Sequence, residues 1–330
     1  MILIPKYKTI FADRYPVINI RHSGEFRYTL RDANGNIKVQ TDWERNLVTD
    51  LGLDKARRDN ISWASNMYIG DGVVAPAVSD VGLSGSQLGA AQSLSKTSSN
   101  YVPSAANYER YHTVEAVWAP GDGTGTVGEF GIGTHSGTDI AIRHLVAPTI
   151  AKGALDELTV EYKHTVYPDI SDAVGTFLIN AVSYDYTVRM GNLAETVDDI
   201  IPQTHLGFNG NIFQRSARVY DGAIGTITAE QPAGSSAGNT AVVADTYGGS
   251  AGSYYHEKEC SWGIDNTANG LTITSFAFIT GLTQWDFGDG SRRWVLCQSS
   301  LGLTAGGAGL LKENTHELIL GMRMTSDRWP

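Results

Sequence analysis

Thr126-Val-Gly-Glu-Phe-Gly-Ile-Gly133 is followed by a turn at His135-Ser-Gly-Thr-Asp139, by Ile140-Ala-Ile-Arg-His-Leu-Val-Ala147, and then by Leu158-Thr-Val-Glu-Tyr-Lys-His-Thr165 up to Pro168. Three short apolar runs punctuated by Gly, Ser, Asp and Pro describe consecutive strands of a sheet. The end of the chain echoes this stretch. Lys152, Glu157, Leu158 and Thr165 recur as Lys312, Glu317, Leu318 and Thr325, each displaced by the same 160 positions (312 − 152). Apolar residues match as well, Val160 with Leu320 and Tyr162 with Met322. Both stretches end in an aromatic residue and proline, Tyr167-Pro168 and Trp329-Pro330, the second two residues longer there. The spacing predicts two related β halves, 1–170 and 171–330, the second a divergent repeat of the first. Two unrelated strands of similar composition are the competing reading.

Working outward, Phe26, Tyr28 and Leu30 alternate with Arg27, Thr29 and Arg31. After Asp32-Ala-Asn-Gly-Asn36, Ile37, Val39, Thr41 and Trp43 alternate with Lys38, Gln40 and Asp42. This predicts a hairpin with one apolar face on each strand. Thr41-Asp-Trp-Glu44 has capping-box spacing, and Trp43, Leu47, Val48 and Leu51 share a helical stripe that Gly52 would terminate. A second short helix is expected over 192–201, with Asn192 and Glu195 in the same spacing and Pro202 beyond it. Residues 71–106 form the longest irregular stretch. Val81, Leu83, Leu88 and Leu94 within it imply that it lies along a surface. Further strands are expected over 108–118, 177–188, 241–247, 271–278, 293–297 and 317–324, with a strand-and-turn pattern from 211 through 218–228 and a flexible segment over 231–238. The fold class is all-β: two β-sandwich-like halves with short helices and long surface loops.

Composition narrows the function. Of 330 residues 42% are hydrophobic, enough for a core, and 37 glycines without a collagen period suit many tight turns. The net charge of −10 argues against a nucleic-acid partner, which needs clustered Lys and Arg. Lys55-Ala-Arg-Arg58, flanked by Asp54 and Asp59, reads as a solvated helix end. Cys260 and Cys297 are too few for a zinc site or a disulfide framework. They are expected as free buried thiols, with pairing open only if their strands are neighbours. Met1-Ile-Leu-Ile4 is cut short by Pro5 and Lys6, so a signal peptide is not expected, and no run suggests membrane insertion.

Every candidate for chemistry has a duller competitor that wins. Gly131-Ile-Gly133 and Gly121-Asp-Gly-Thr-Gly125 lack the helix and Lys-Ser/Thr of a phosphate loop and read as turns. Asp286-Phe-Gly-Asp-Gly290 lacks the remaining ligands of a calcium loop, and its Asp-Phe-Gly triplet lacks the companions of a kinase. His135 and His144 flank a turn without a third metal ligand, and His164 reads as a packed histidine. No Gly-x-Ser-x-Gly elbow precedes a helix, and Gly85–Gly89 does not match one. Glu115 and Glu129 are the only acids singled out as cross-strand neighbours, across the Pro120–Gly125 turn, and a solvated face is the simpler account of them. No catalytic, cofactor-binding or metal residue is therefore assigned, and no cofactor is expected. Tyr108, Tyr111, Trp118, Tyr184, Tyr186, Tyr254, Tyr255 and Trp262 fall in strand regions. Core packing accounts for most of them, with a subset available for a subunit interface or a sugar-stacking platform.

Three stretches taken together carry a resemblance. The first is Asn46-Leu-Val-Thr-Asp-Leu-Gly-Leu-Asp54 with Met67-Tyr-Ile-Gly-Asp-Gly72, Pro76 and Ser79-Asp-Val-Gly-Leu83. The second is Thr126–Gly133 with Leu158–Tyr162. The third is Gly222-Ala-Ile-Gly-Thr-Ile227 with Asn269-Gly-Leu-Thr-Ile-Thr-Ser275 and the terminal strand. Their order resembles structural proteins of tailed-bacteriophage virions, of the tail, neck or fibre type. The resemblance implies a non-enzymatic, β-rich virion subunit, made in the host cytoplasm, that packs against copies of itself and other virion proteins. Extended loops (71–106 and 229–260) and terminal segments would add strands to neighbours or bury apolar residues on them. A host-surface glycan-binding adhesion or decoration module ranks second, and a polysaccharide-degrading enzyme third.

Overall fold

A computed structural model of the chain describes residues 6–10, 17–57, 65–103, 108–134, 139–179, 181–191, 216–227, 231–238, 241–250, 253–280, 294–300, 302–303, 306 and 309–328. The fold is all-β. In chain order its strands are β1 (Lys6–Ile10), β2 (Val17–Arg31), β3 (Ile37–Gln40), β4 (Glu44–Arg45), β5 (Leu47–Val48), β6 (Asn66–Gly70), β7 (Gln92–Ser93), β8 (Ser95–Pro103), β9 (Tyr108–Trp118), β10 (Gly125–Gly133), β11 (Ile140–Lys152) and β12 (Glu157–Pro168). They continue with β13 (Ala173–Ile179), β14 (Val182–Met190), β15 (Ser216–Tyr220), β16 (Ser236–Gly238), β17 (Ala241–Ser250), β18 (Ser253–Trp262), β19 (Thr272–Ile273), β20 (Ser275–Thr280), β21 (Trp294–Ser300), β22 (Gly302–Leu303), β23 (Leu310–Leu311) and β24 (Glu317–Arg328). Among the described residues the single α-helix is α1 (Asp50–Arg57).

A wide central sheet runs β8–β9–β12–β2–β24–β18–β17. Two smaller sheets pair with it to make sandwich-like layers. One runs β5–β11–β10–β6–β7. The other runs β13–β14–β21–β20–β15–β16. β1 joins layers, pairing parallel with β24 and antiparallel with β13.

The key strand is β2. Its fifteen residues alternate half-buried and buried without interruption, as a strand with one face on a core must. Phe26, Tyr28 and Leu30 pack into a core with Trp118, Phe130 and Val160. Ile18 and Ile20, on the same face, pack into a second core with Phe177, Trp262 and Leu320. The two cores thus share one strand and do not separate at one point of the chain near residue 170.

Several expectations need correction. The helix begins at Asp50, later than the stripe from Trp43 implies, because 44–48 are claimed by strand pairing with β2 and β11. Its cap is Thr49, whose Oγ1 accepts from the Gly52 N–H at 3.1 Å and donates to the carbonyl of Ala141 at 3.0 Å. Gly52 is inside the helix and does not terminate it. A Cβ there would collide with the Ala141 carbonyl, so glycine is what lets α1 lie on β11. In the hairpin, Ile37 and Val39 are exposed and do not form an apolar face. The stretch 177–188 is two strands, β13 and β14, paired from Ala173↔Val188 to Ile179↔Val182. The loops expected over 71–106 and 229–260 contain β7 and β8, and β16, β17 and the start of β18. The helix expected over 192–201 lies outside the described residues.

Thr49→Ala removes the cap and leaves the Gly52 amide without its acceptor. We expect a loss of about 1 kcal/mol, read as a lower urea midpoint at unchanged m-value.

Candidate assembly surface

The stretch after β6 is held to the body of the protein by a dense set of bonds. Glu129 on β10 is completely buried. Its carboxylate accepts from Ser84 N (3.0 Å), Ser84 Oγ (3.1 Å), Gly85 N (2.8 Å) and Arg143 Nε (2.7 Å). Arg143, two residues off on β11 in the ladder (Gly131↔Arg143), is also buried. Its other nitrogens donate to Asp80 and to the carbonyl of Val74 at 2.7 Å. Burial alone would push the Glu129 carboxyl up. The Ser84 and Gly85 amides and Arg143 outweigh it and hold the group below the usual carboxylate range. Burial likewise disfavours the Arg143 cation, and Asp80 and Glu129 outweigh it.

This ion pair is a pedestal. Further ties are Asp50 N to Val78 O (2.8 Å) and Ile140 N to Val81 O (2.9 Å), while Leu88 packs on the first core. The stretch therefore lies along the surface, as its apolar residues implied. Yet Val73, Val74, Val78 and Val81 point outward, 44% to 66% exposed. Polar groups are spent inside to present apolar ones outside.

The carboxylate pair weighed from sequence does not exist. Glu115 is on β9 in the central sheet, opposite Ser95 and Glu161, and Glu129 is on β10 in the facing sheet. Gly131-Ile-Gly133 is strand, not turn: Leu83 and Ile140 lie too close for a side chain at Gly131. His144 is held by Glu44 (Nε2, 3.1 Å) and the carbonyl of Arg45 (Nδ1, 3.2 Å). His164 is buried and stacks on His22, with ring centroids 5.4 Å apart. Cys260 is a buried free thiol. His135 and Asp286–Gly290 lie outside the described residues. Among the described residues no three of His, Cys, Asp and Glu come together as a metal site would require, and no helix is long and apolar enough to cross a membrane.

The outer face of the central sheet mixes aromatic rings with ion pairs. Trp43 lies under Arg27 (4.6 Å) and Lys163 (5.1 Å), and Tyr255 under Arg323 (4.2 Å). Arg27 pairs with Glu161, Lys163 with Glu25, and Arg323 with Glu257. The aromatics thus divide: Trp118, Tyr184, Tyr254 and Trp262 are buried, and Tyr111 and Tyr255 face outward with Trp43, which sequence reading left in a helical stripe.

The central sheet ends in β8 on one side and β17 on the other. Among the described residues each has a single partner strand, β9 and β18. These edges occupy matching places in a pairing pattern that occurs twice. β6 pairs with β7 and β10, β10 with β11, β8 with β9, and β9 with β12. β15 pairs with β16 and β20, β20 with β21, β17 with β18, and β18 with β24, every pairing antiparallel. Even the irregularities correspond, one between Lys96 and Ser98 and one between Val242 and Ala244.

Side-chain details follow the pattern. Asp71 accepts from Ser86 N at 2.6 Å, and Asp221 from Ser235 N at 2.7 Å. Gly85 and Gly234 precede those serines, and a Cβ at either would strike the aspartate. Trp118 Nε1 donates to Ala90 O (3.0 Å), Trp262 Nε1 to Ala237 O (3.3 Å). Lys152 and Lys312 are buried, and each donates to the carbonyl after the tryptophan, Ala119 and Gly263, both at 3.1 Å. The signal missed in the sequence was therefore Asp-Gly followed by Gly-Ser, at 71–72 and 85–86 and again at 221–222 and 234–235. Comparison with protein-family models, curated proteins and solved structures finds no match for this chain.

Proposed function

We propose that this chain is a non-enzymatic structural component of a tailed-bacteriophage virion, of the tail, neck or fibre-associated kind. It is built from two related β-sandwich halves and works through contacts with copies of itself and other virion proteins. The observation that carries the reading is the Glu129–Arg143 pedestal. A buried ion pair is devoted to fixing a long irregular stretch whose valines face solvent, which suits a surface shaped for a partner. Two further buried cations are bound largely by backbone, Lys152 by the Ala119 and Asp156 carbonyls and Lys312 by the Gly263 and Glu313 carbonyls. Mass spectrometry of purified particles is expected to find the chain in many copies, and its absence would overturn the assignment.

A glycan-binding module has one observation in its favour, the outward-facing Trp43, Tyr111 and Tyr255. Against it, cations already cover a face of Trp43 and of Tyr255. On that reading a glycan array gives hits that Trp43→Ala abolishes, and an array without hits dismisses it. A polysaccharide-degrading enzyme ranks last, because its one named carboxylate pair is split between facing sheets.

A further inference from the structure

We propose that two copies of this chain join edge to edge, β17 of one pairing antiparallel with β8 of the next, so that the central sheet continues across the contact. The proposal rests on the assembly reading above and gives it a partner and a mode.

Strand direction is the first argument. β12 runs antiparallel to β2, β9 antiparallel to β12, and β8 antiparallel to β9, so β8 runs against β2. β24 runs parallel to β2, β18 antiparallel to β24, and β17 antiparallel to β18, so β17 runs with β2. Copies set side by side in the same orientation therefore bring β17 against β8 in antiparallel sense. That sense is the stronger ladder and continues the pairing already present at both edges.

The edges also match in length. β8 has nine residues and β17 has ten. The two irregularities lie near the amino-terminal end of each edge strand. In an antiparallel pair they fall at opposite ends and leave the middle of the ladder regular. Two like edges joined would leave the other edge of each copy as an open template. The β17-to-β8 contact uses both edges, and in a closed ring none remains.

The test is a cysteine matrix in the full-length chain. Thr97→Cys and Asn100→Cys are made on β8; Ala244→Cys, Thr246→Cys and Gly248→Cys are made on β17. Each is oxidised alone and mixed with each variant of the other strand, with the wild-type chain as the control for its own cysteines. Mixtures of a β8 and a β17 variant are expected to give covalent dimers for the pairs in register, at least tenfold above either variant alone, while the wild-type chain sediments as an oligomer. A sedimenting monomer, no cross-link in any mixture, or equal cross-linking by β8 variants alone would each overturn the edge contact. Failure of the cross-links with the chain still abundant in particles removes this contact and keeps the assembly reading. Cross-links from a chain absent from particles do the reverse.

Discussion

Replacing Glu129 with alanine is expected to destabilise the fold by about 3–5 kcal/mol, the usual cost of leaving half of a buried ion pair behind. Arg143 keeps Asp80 and the Val74 carbonyl but loses its only fully buried counter-charge. The Ser84 and Gly85 amides lose their acceptor as well. The double variant Glu129→Leu, Arg143→Met removes both charges and is expected to recover most of the loss, since apolar replacement of a whole buried pair is often near neutral. It should not recover the full order of 71–86, because the bonds that Glu129 and Arg143 make to Ser84, Gly85, Asp80 and Val74 are gone while the backbone ties to Asp50 and Ile140 remain. Urea denaturation reads the first effect, and the rate of proteolytic cleavage within 71–86 reads the second. A loss under about 1 kcal/mol for Glu129→Ala would mean that the pair behaves as an exposed one. The sign with pH follows. Because the folded carboxyl titrates below its ordinary value, its contribution is present above the unfolded value and is lost as pH falls through the folded one.

Acidification from about pH 6.5 to about 4 is expected to cost about 3 kcal/mol through His22 alone. Burial lowers the His22 pKa from 6.5 to about 4. The unfolded chain therefore takes up a proton in this window that the folded chain refuses, and stability falls as pH falls across it. The surroundings favour the neutral ring. His164 stacks on it with its Nε2 3.2 Å from His22 Nδ1, and Tyr162, whose phenol burial pushes up, stacks on His164. Across the ladder stands Arg328, itself bound to the Val48 carbonyl and Asp50. On the other face of the sheet Arg21 sits opposite Asp327, whose carboxyl burial pushes up. Thermal unfolding of wild type and His22→Gln between pH 4 and 7 checks the point. The variant should show a flatter dependence through that window, and identical slopes would contradict the assignment.

Much of the architecture could be read from local pattern. The strand expected over 108–118 is found with those bounds, and the three runs from 126 to 165 are β10, β11 and β12. Alternation and turn residues carry that information directly. Layer membership is not local. Glu115 and Glu129 flank one turn, yet the chain passes from one sheet to the other between them. The helix after Thr41 was misplaced because strand pairing with β2 and β11 outweighs the capping signal. The second tryptophan and the second Asp-Gly were not aligned with the first because the offset drifts, from 150 for Asp71 and Asp221 to 144 for Trp118 and Trp262 and 160 for Lys152 and Lys312. Hydrogen bonds to the same carbonyl positions bring these residues into correspondence, and loop length hides it.

β2 leaves one more mark on the molecule. Ile18 and Ile20 belong to the core that residues beyond 171 mostly build, while Phe26, Tyr28 and Leu30 anchor the other. Truncation near residue 170 would expose two isoleucines on one fragment and empty their places in the other. The halves are therefore expected to unfold in one transition, and a fragment of either is expected to lack part of its core.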